Sequence, residues 1–429
     1  MDNLQTTQHI IISINALNTL AFASIIALIG NFLIKRVGFL YRFTIPGPVA
    51  GGLLIAIICL ILRQFFQITI TFETQPLQGI LMLMFFASVG FSANIAELKA
   101  GGRIIAIFLL GVTGLLILQN IVGVSLATLL DQNPLMGLLA GSITLSGGHG
   151  TGASWGPVFV EKYGYQGAVE IAMACATFGL VLGGLVGGPT ARFLIARMGR
   201  HEMSSAEQDA SDEAAENTLD LSNFEKPQAR RKVNTSAMLE AIAMLTVAAA
   251  AGTYIYTLLD GSRLQFPTFV FALFSAVVIG NIVPRINRRY HVPEKAISVS
   301  GNICLSLFLT MALMSLKLWE LIDLALPMLV ILTIQTIIMV LYAVFVTYVI
   351  MGRNYDAAVL AAGHCGFGLG ATPTAIANMQ VVTDRYGPSH MAFIVVPMVG
   401  AFFIDILNAF VIQGFLSIPI FSSMLLTLP

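Results

Sequence analysis

Charge is scarce in this chain. Only 10% of its 429 residues are Asp, Glu, Lys or Arg, where a soluble domain carries about 25%. The 22 basic and 22 acidic residues cancel, so no basic excess marks a nucleic-acid partner. Cysteine is sparse too. Cys59, Cys175, Cys304 and Cys365 stand far apart in apolar surroundings, offering neither a CxxC metal pattern nor a disulfide framework. No positively charged stretch precedes the first apolar run, which argues against a cleaved signal peptide. Catalytic chemistry is also missing. Ser154 and His149 lie near each other, but no local carboxylate is placed to orient a base, and no enzyme activity is assigned.

What the chain has in quantity is apolar sequence, 57% of it, in runs too long for a buried soluble helix. It reads as an all-α polytopic membrane protein with ten spans. The first five are Leu17 to Ile34, Pro46 to Leu62, Leu77 to Ala93, Ile104 to Leu130 and Ala168 to Val186. The second five are Met238 to Leu259, Phe266 to Val283, Gly301 to Leu318, Leu324 to Ile350 and Ala392 to Phe415. With the N-terminus outside, only Arg63, Lys162, Arg263 and Lys317 of the basic residues face outward. The positive-inside rule therefore predicts both termini outside.

The two groups of five look like copies. Residues 1–197 form a first repeat and 236–429 a second, joined by a polar stretch, 198–235, that reads as a flexible cytoplasmic linker. In each copy the fourth span is unusually long and is followed by a glycine-rich stretch. Gly148-His149-Gly150-Thr151-Gly152-Ala153-Ser154 aligns with Gly366-Phe367-Gly368-Leu369-Gly370-Ala371-Thr372, and Glu161-Lys162-Tyr163-Gly164 with Asp384-Arg385-Tyr386-Gly387. Five is an odd number, so the second copy enters the membrane inverted. Inverted repeats are a transporter signature, with the site at the repeat interface near the midplane.

Glycine and proline break both stretches, about 135–163 and 357–386, in their middles. Lipid does not tolerate unsatisfied backbone at that depth, so each is expected to be a re-entrant hairpin placed before the fifth span of its repeat. Gly148, Gly150, Gly152, Gly368 and Gly370 would let cargo approach the main chain, and half-helix N-termini would attract carboxylates. His149 could donate to a carboxylate or relay a proton, as could His364; a packed neutral imidazole is the competing reading for both. Thr151 completes the glycine motif, while Ser154, Thr372 and Thr374 supply hydroxyls at the tips that could equally cap helix starts. Asp405, deep in the tenth span with Asn408 three residues on, is costly in lipid and expected to be functional, as a Na⁺ ligand or an ammonium partner. Asn378 is a further candidate ion ligand. Asn31, Asn120 and Asn302 could be polar glue between helices, and Glu170 and Glu240 lie near span ends where reaching an interface explains them as well as function does.

The run Ser146-Gly147-Gly148-His149-Gly150-Thr151-Gly152-Ala153, followed by Ala172-Met173-Ala174-Cys175-Ala176-Thr177-Phe178-Gly179-Leu180, resembles the bacterial sodium/glutamate symporter family. So does Gly363-His364-Cys365-Gly366-Phe367-Gly368-Leu369-Gly370-Ala371-Thr372-Pro373-Thr374-Ala375-Ile376-Ala377-Asn378-Met379-Gln380, continuing through Pro388-Ser389-His390-Met391 to Phe402-Phe403-Ile404-Asp405. The resemblance runs from about Arg42 to Gln413 and leaves out the linker. It implies Na⁺-coupled glutamate uptake by alternating access in a bacterial inner membrane, by a homodimer in contact with lipid. It further suggests similarity to citrate-type symporters, in which a mobile domain slides against a fixed scaffold. Na⁺ is the coupling ion it implies, with no organic cofactor. A proton-coupled carrier of another small carboxylate and a channel are the rival expectations.

Overall fold

In lipid a backbone can bond only to itself, so long apolar runs become helices. A computed structural model describes residues 10–42, 45–74, 77–92, 102–198, 233–259, 266–286, 292–319 and 324–424. The expected linker falls almost wholly outside them. The first half runs β1 (Ile10–Ile14), α1 (Ala16–Arg36), α2 (Gly38–Arg42), α3 (Gly47–Phe66), β2 (Ile68–Phe72), α4 (Leu77–Phe91), α5 (Gly102–Leu129), α6 (Pro134–Leu138), α7 (Gly148–Tyr163) and α8 (Ala168–Arg197). The second runs α9 (Thr235–Leu258), α10 (Thr268–Ile286), α11 (Glu294–Met314), α12 (Ala325–Ile350), α13 (Tyr355–Leu369), α14 (Thr372–Tyr386), α15 (His390–Met398), α16 (Ile404–Leu416) and α17 (Pro419–Ser422).

Among the described residues, eight helices are long and apolar enough to cross a membrane: α1, α3, α5, α8, α9, α10, α11 and α12. Helix α4 is apolar but only 15 residues long. The tenth expected span carries a π turn within it. Pro397, which has no N–H to donate, precedes a π turn at Val399–Phe403 that separates α15 from α16. The fifth runs on to Arg197, eleven residues past the expected Val186, because Pro189 does not end the helix and the polar residues after it extend beyond the apolar run. The all-α expectation also needs amending: β1 and β2 form a two-stranded parallel ladder with Ile12 opposite Ile70.

Asparagine side chains cap four helices, two in each half of the chain. Asn15 and Asn234 precede α1 and α9, while Asn133 and Asn354 precede α6 and α13. Each accepts a backbone N–H of the first turn, worth roughly 1 kcal/mol. Helix packing sorts into two groups. Helices α1, α3, α4, α9, α10 and α11 pack on one another, and α5 to α8 pack with α12 to α16. Between the groups, α11 touches α7 and α4 touches the π turn before α16. Aromatic rings line this seam, with Trp155 against Phe269 and Phe410 against Phe266 and Phe274.

Small residues set the closest approach within the second group. Gly179, Gly183 and Gly187 recur every four residues on one face of α8. A Cβ at Gly179 would collide with the Leu369 carbonyl, one at Gly183 would stand 3.1 Å from the Gly366 carbonyl, and one at Gly187 would strike the Asn378 amide. This stripe lets α8 lie directly against α13 and α14.

Contacts between helix ends join particular loops. Arg63 lies over the Trp319 ring at 3.7 Å, Lys162 over Tyr256 at 5.8 Å, and the Lys317 N–H donates to Glu170 Oε1 at 3.2 Å.

A site where two broken helices touch

Two interruptions of the backbone meet inside the second packing group. In the first, Gly141 leaves helical geometry (φ −106°, ψ −137°) and a turn spans 144–147 before α7 restarts at Gly148. In the second, α13 stops at Leu369, Gly370 takes φ −148° and ψ −91°, and α14 starts at Thr372 with Pro373 in its first turn. Gly148 sits at φ +68°, in the left-handed region that glycine occupies freely. A Cβ there would be 3.1 Å from the Gly370 carbonyl oxygen. Among the described residues no side chain caps the start of α7 or α14, and each start carries the positive end of a helix dipole.

Asp405 opens α16, and Thr151 Oγ1 donates to its Oδ1 at 3.5 Å. The carboxylate borders a small cavity on the seam. Thr151, Trp155, Ile406 and Ala409 line one side, with Phe86, Phe269, Val270 and Leu273 opposite. Its volume open to a water centre is about 10 Å³, room for one water or a bare monovalent ion and far too little for an amino acid. Asn408 turns the other way: its Nδ2 donates to the Ser142 carbonyl at 2.8 Å, and the Ser142 N–H donates to Asn120 Oδ1 at 2.9 Å. Among the described residues Asn408 Oδ1 has no hydrogen-bond partner. Asn120 is thus glue between α5 and the first break, while Asn302 faces outward from α11.

The remaining expected residues divide between the breaks and plain packing. His149 Nε2 lies 3.0 Å from Thr177 Oγ1, whose hydroxyl donates to the Met173 carbonyl at 2.8 Å. The imidazole is therefore the donor in that pair. Ser154 Oγ bonds back to the Gly150 carbonyl at 2.8 Å and so caps nothing. Thr372 Oγ1 donates to the Gly400 carbonyl at 2.8 Å, fastening the start of α14 to the π turn before Asp405. Thr374 is buried in the first turn of α14. Gly150 and Gly152 lie in α7, a Cβ at Gly152 being 3.0 Å from a Thr144 methyl group. Asn378 Nδ2 donates to the Gly183 carbonyl at 2.8 Å, a bond that pins α14 to α8. His364 stacks on Phe367 and pairs with Thr347 through Nδ1 at 2.8 Å.

Gln119 and Ser146 escaped the reading from sequence. Gln119 Nε2 donates to the Gly368 carbonyl at 2.7 Å, and Ser146 Oγ donates to Gln119 Oε1 at 2.7 Å. The signal was two adjacent amides, Gln119 and Asn120, in the middle of a mostly apolar 28-residue helix. Among the described residues no three His, Cys, Asp or Glu side chains gather as a metal site. The donors around Asp405 are oxygens, which suit a hard monovalent cation.

The family profile described as Sodium/glutamate symporter matches residues 12–388. A protein of Escherichia coli K12 named sodium/glutamate symporter is 55% identical over 409 residues, covering 95% of this chain and 99% of its own. A Haemophilus influenzae protein of the same name is 50% identical over 391 residues, 91% of this chain and 94% of its own. A solved sodium proton antiporter from Methanocaldococcus jannaschii overlaps 93% of this chain and 97% of its own at 14% identity, with a TM-score of 0.42, too low to carry an argument. On the strength of the profile match and these relatives, the chain belongs to the sodium/glutamate symporter family.

Proposed function

We propose that the chain carries glutamate into the cell together with Na⁺, and that the cargo binds where the two interrupted segments meet. The apposition of Gly148 and Gly370 carries this reading. It puts two uncapped helix starts side by side, which suits the carboxylates of glutamate, and it places the α13 C-terminal carbonyls beside them. Na⁺ would take oxygens near Thr151 and Asp405, neutralising the carboxylate; Asn408 and Asn378 are secondary candidates. Bound Na⁺ then favours glutamate, and by reciprocity glutamate favours Na⁺, a coupling typically of about 1 to 3 kcal/mol.

Each half is an inverted five-span unit and each broken segment a re-entrant hairpin. Matching asparagine caps in the two halves support the repeat. The ladder of β1 with β2, Arg63 over Trp319, Lys162 over Tyr256 and Lys317 with Glu170 each join loops that the ten-span topology puts on the outer face. The two packing groups, with an aromatic seam between them, suit an elevator in which the group holding both breaks slides against the other.

Accumulation of labelled glutamate in proteoliposomes, with Na⁺, Li⁺ and pH gradients imposed in turn, tests the reading. Uptake above equilibrium only with inward Na⁺ is expected. Accumulation driven by pH alone would replace it with a proton-coupled carrier, and no glutamate signal under any gradient would overturn the substrate.

A further inference from the structure

We infer that Gln119 is a positioning residue that locks the two interrupted segments in one register, so that loading one of them sets the geometry of the other. The inference rests on the transport reading above and deepens it. Gln119 stands on α5, outside both breaks, and is fully buried at 0% exposure. Its side-chain amide spans from one break to the other. Oε1 accepts from Ser146 Oγ at 2.7 Å in the first, and Nε2 donates at 2.7 Å to the Gly368 carbonyl in the last turn before the second. Ser146 Oγ also lies 3.3 Å from that same carbonyl, closing a triangle. The Gln119 main-chain carbonyl in turn accepts from Gln335 Nε2 at 2.6 Å, which ties in α12 at the same level.

The positions of these partners give the triangle its leverage. Gly368 carries one of the last carbonyls of α13, at the negative end of that helix, where a cation is drawn. Ser146 is two residues before the uncapped start of α7, where an anion is drawn. A cation that pulls on the Gly368 carbonyl competes with the Gln119 N–H. The amide is planar, so any rotation of Nε2 moves Oε1 and with it the Ser146 hydroxyl. Neither a hydrocarbon nor a carboxylate in place of Gln119 can both donate to Gly368 and accept from Ser146.

The test compares wild type with Gln119→Met, Gln119→Glu and Ser146→Ala in proteoliposomes. The glutamate concentration for half-maximal counterflow is measured at low and at saturating Na⁺. The ratio of the two values is the linkage factor, commonly about 5- to 150-fold. Gln119→Met is expected to lower that factor about tenfold or to abolish it, and Gln119→Glu to do nearly as much at high pH, where the ionised carboxylate has no donor, and less at low pH, where the protonated acid donates to Gly368 and accepts from Ser146. Ser146→Ala is expected to lower it less, and the double variant to be no worse than Gln119→Met, since both act through one triangle. A factor unchanged in the variants, with only the maximal rate reduced, is what mere packing gives and overturns the inference. An additive effect of Ser146→Ala also overturns it. Should Gln119→Met misfold, Ser146→Ala decides alone, because it deletes a single hydroxyl. A wild-type factor of one overturns the symport reading itself, which separates the two failures.

Discussion

Gly148 faces Gly370 closely enough that a Cβ on the first would stand 3.1 Å from the carbonyl oxygen of the second. These residues are 222 positions apart in the chain, on segments that each leave the helix for a few residues and then resume it. Their contact brings the start of one helix and the end of another, each without a side-chain cap, into one small volume. It is the place where the proposed function puts a carboxylate beside a cation.

Gly148→Ala is expected to slow glutamate counterflow about five- to thirtyfold, because a non-glycine residue at φ +68° costs about 1–2 kcal/mol. Gly148→Asn separates the two causes. Asparagine tolerates left-handed geometry, so a milder loss than with alanine points to φ and a worse one to the contact with Gly370. Wild-type rates in both variants would show that the tip does not need glycine.

Asp405→Asn keeps the side chain's shape and removes its charge. It is expected to raise the Na⁺ concentration for half-maximal uptake more than about tenfold, the loss of at least one charge-assisted ligand. Thr151→Val deletes the hydroxyl that donates to Asp405 and is expected to raise it about two- to tenfold. A Na⁺ titration at fixed glutamate measures both, and an unaltered curve for Asp405→Asn removes this residue from ion coupling.

Gly179→Leu is expected to prevent recovery of monodisperse protein from detergent, since α8 cannot then lie against the end of α13. Gly188→Ala, on the same helix, supplies the control. Its nearest neighbour would be a Val381 methyl at 3.9 Å, and its elution profile and melting temperature should match wild type. Equal behaviour of the two variants would contradict the glycine stripe.

Ile12 and Ile70 are register partners across the β1–β2 ladder, where neighbouring strands lie about 4.8 Å apart, a spacing a disulfide can span. The pair Ile12→Cys and Ile70→Cys should cross-link in cells without added oxidant if the ladder faces the oxidising side of the membrane. A pair that stays reduced, yet closes on adding oxidant to broken cells, would place the ladder in the cytoplasm and reverse the proposed topology.

The spans were legible because apolar length is a one-dimensional property. Lipid permits no other use for such runs than helices, and a reader needs only to count. Glycine and proline in the middle of two apolar stretches announced both breaks for the same reason, as a local backbone effect. The π turn after Pro397 was harder to read, since a proline inside a membrane helix can kink it or be absorbed, depending on neighbours. The strands went unseen because five-residue runs such as Ile10–Ile14 acquire meaning only with a partner, here Ile68–Phe72 beyond two helices.

Sequence alone determined the membrane class, most of the spans, the two glycine breaks and the cost of placing Asp405 among apolar residues, all consequences of local composition and backbone chemistry. Tertiary structure alone decided which groups meet. Gln119 finds Gly368 249 positions away, Thr151 finds Asp405 254 positions away, and Asn378 turns to the Gly183 carbonyl. Hydrogen bonds of that reach depend on how helices cross, and the crossings are set by where small residues allow two backbones to touch.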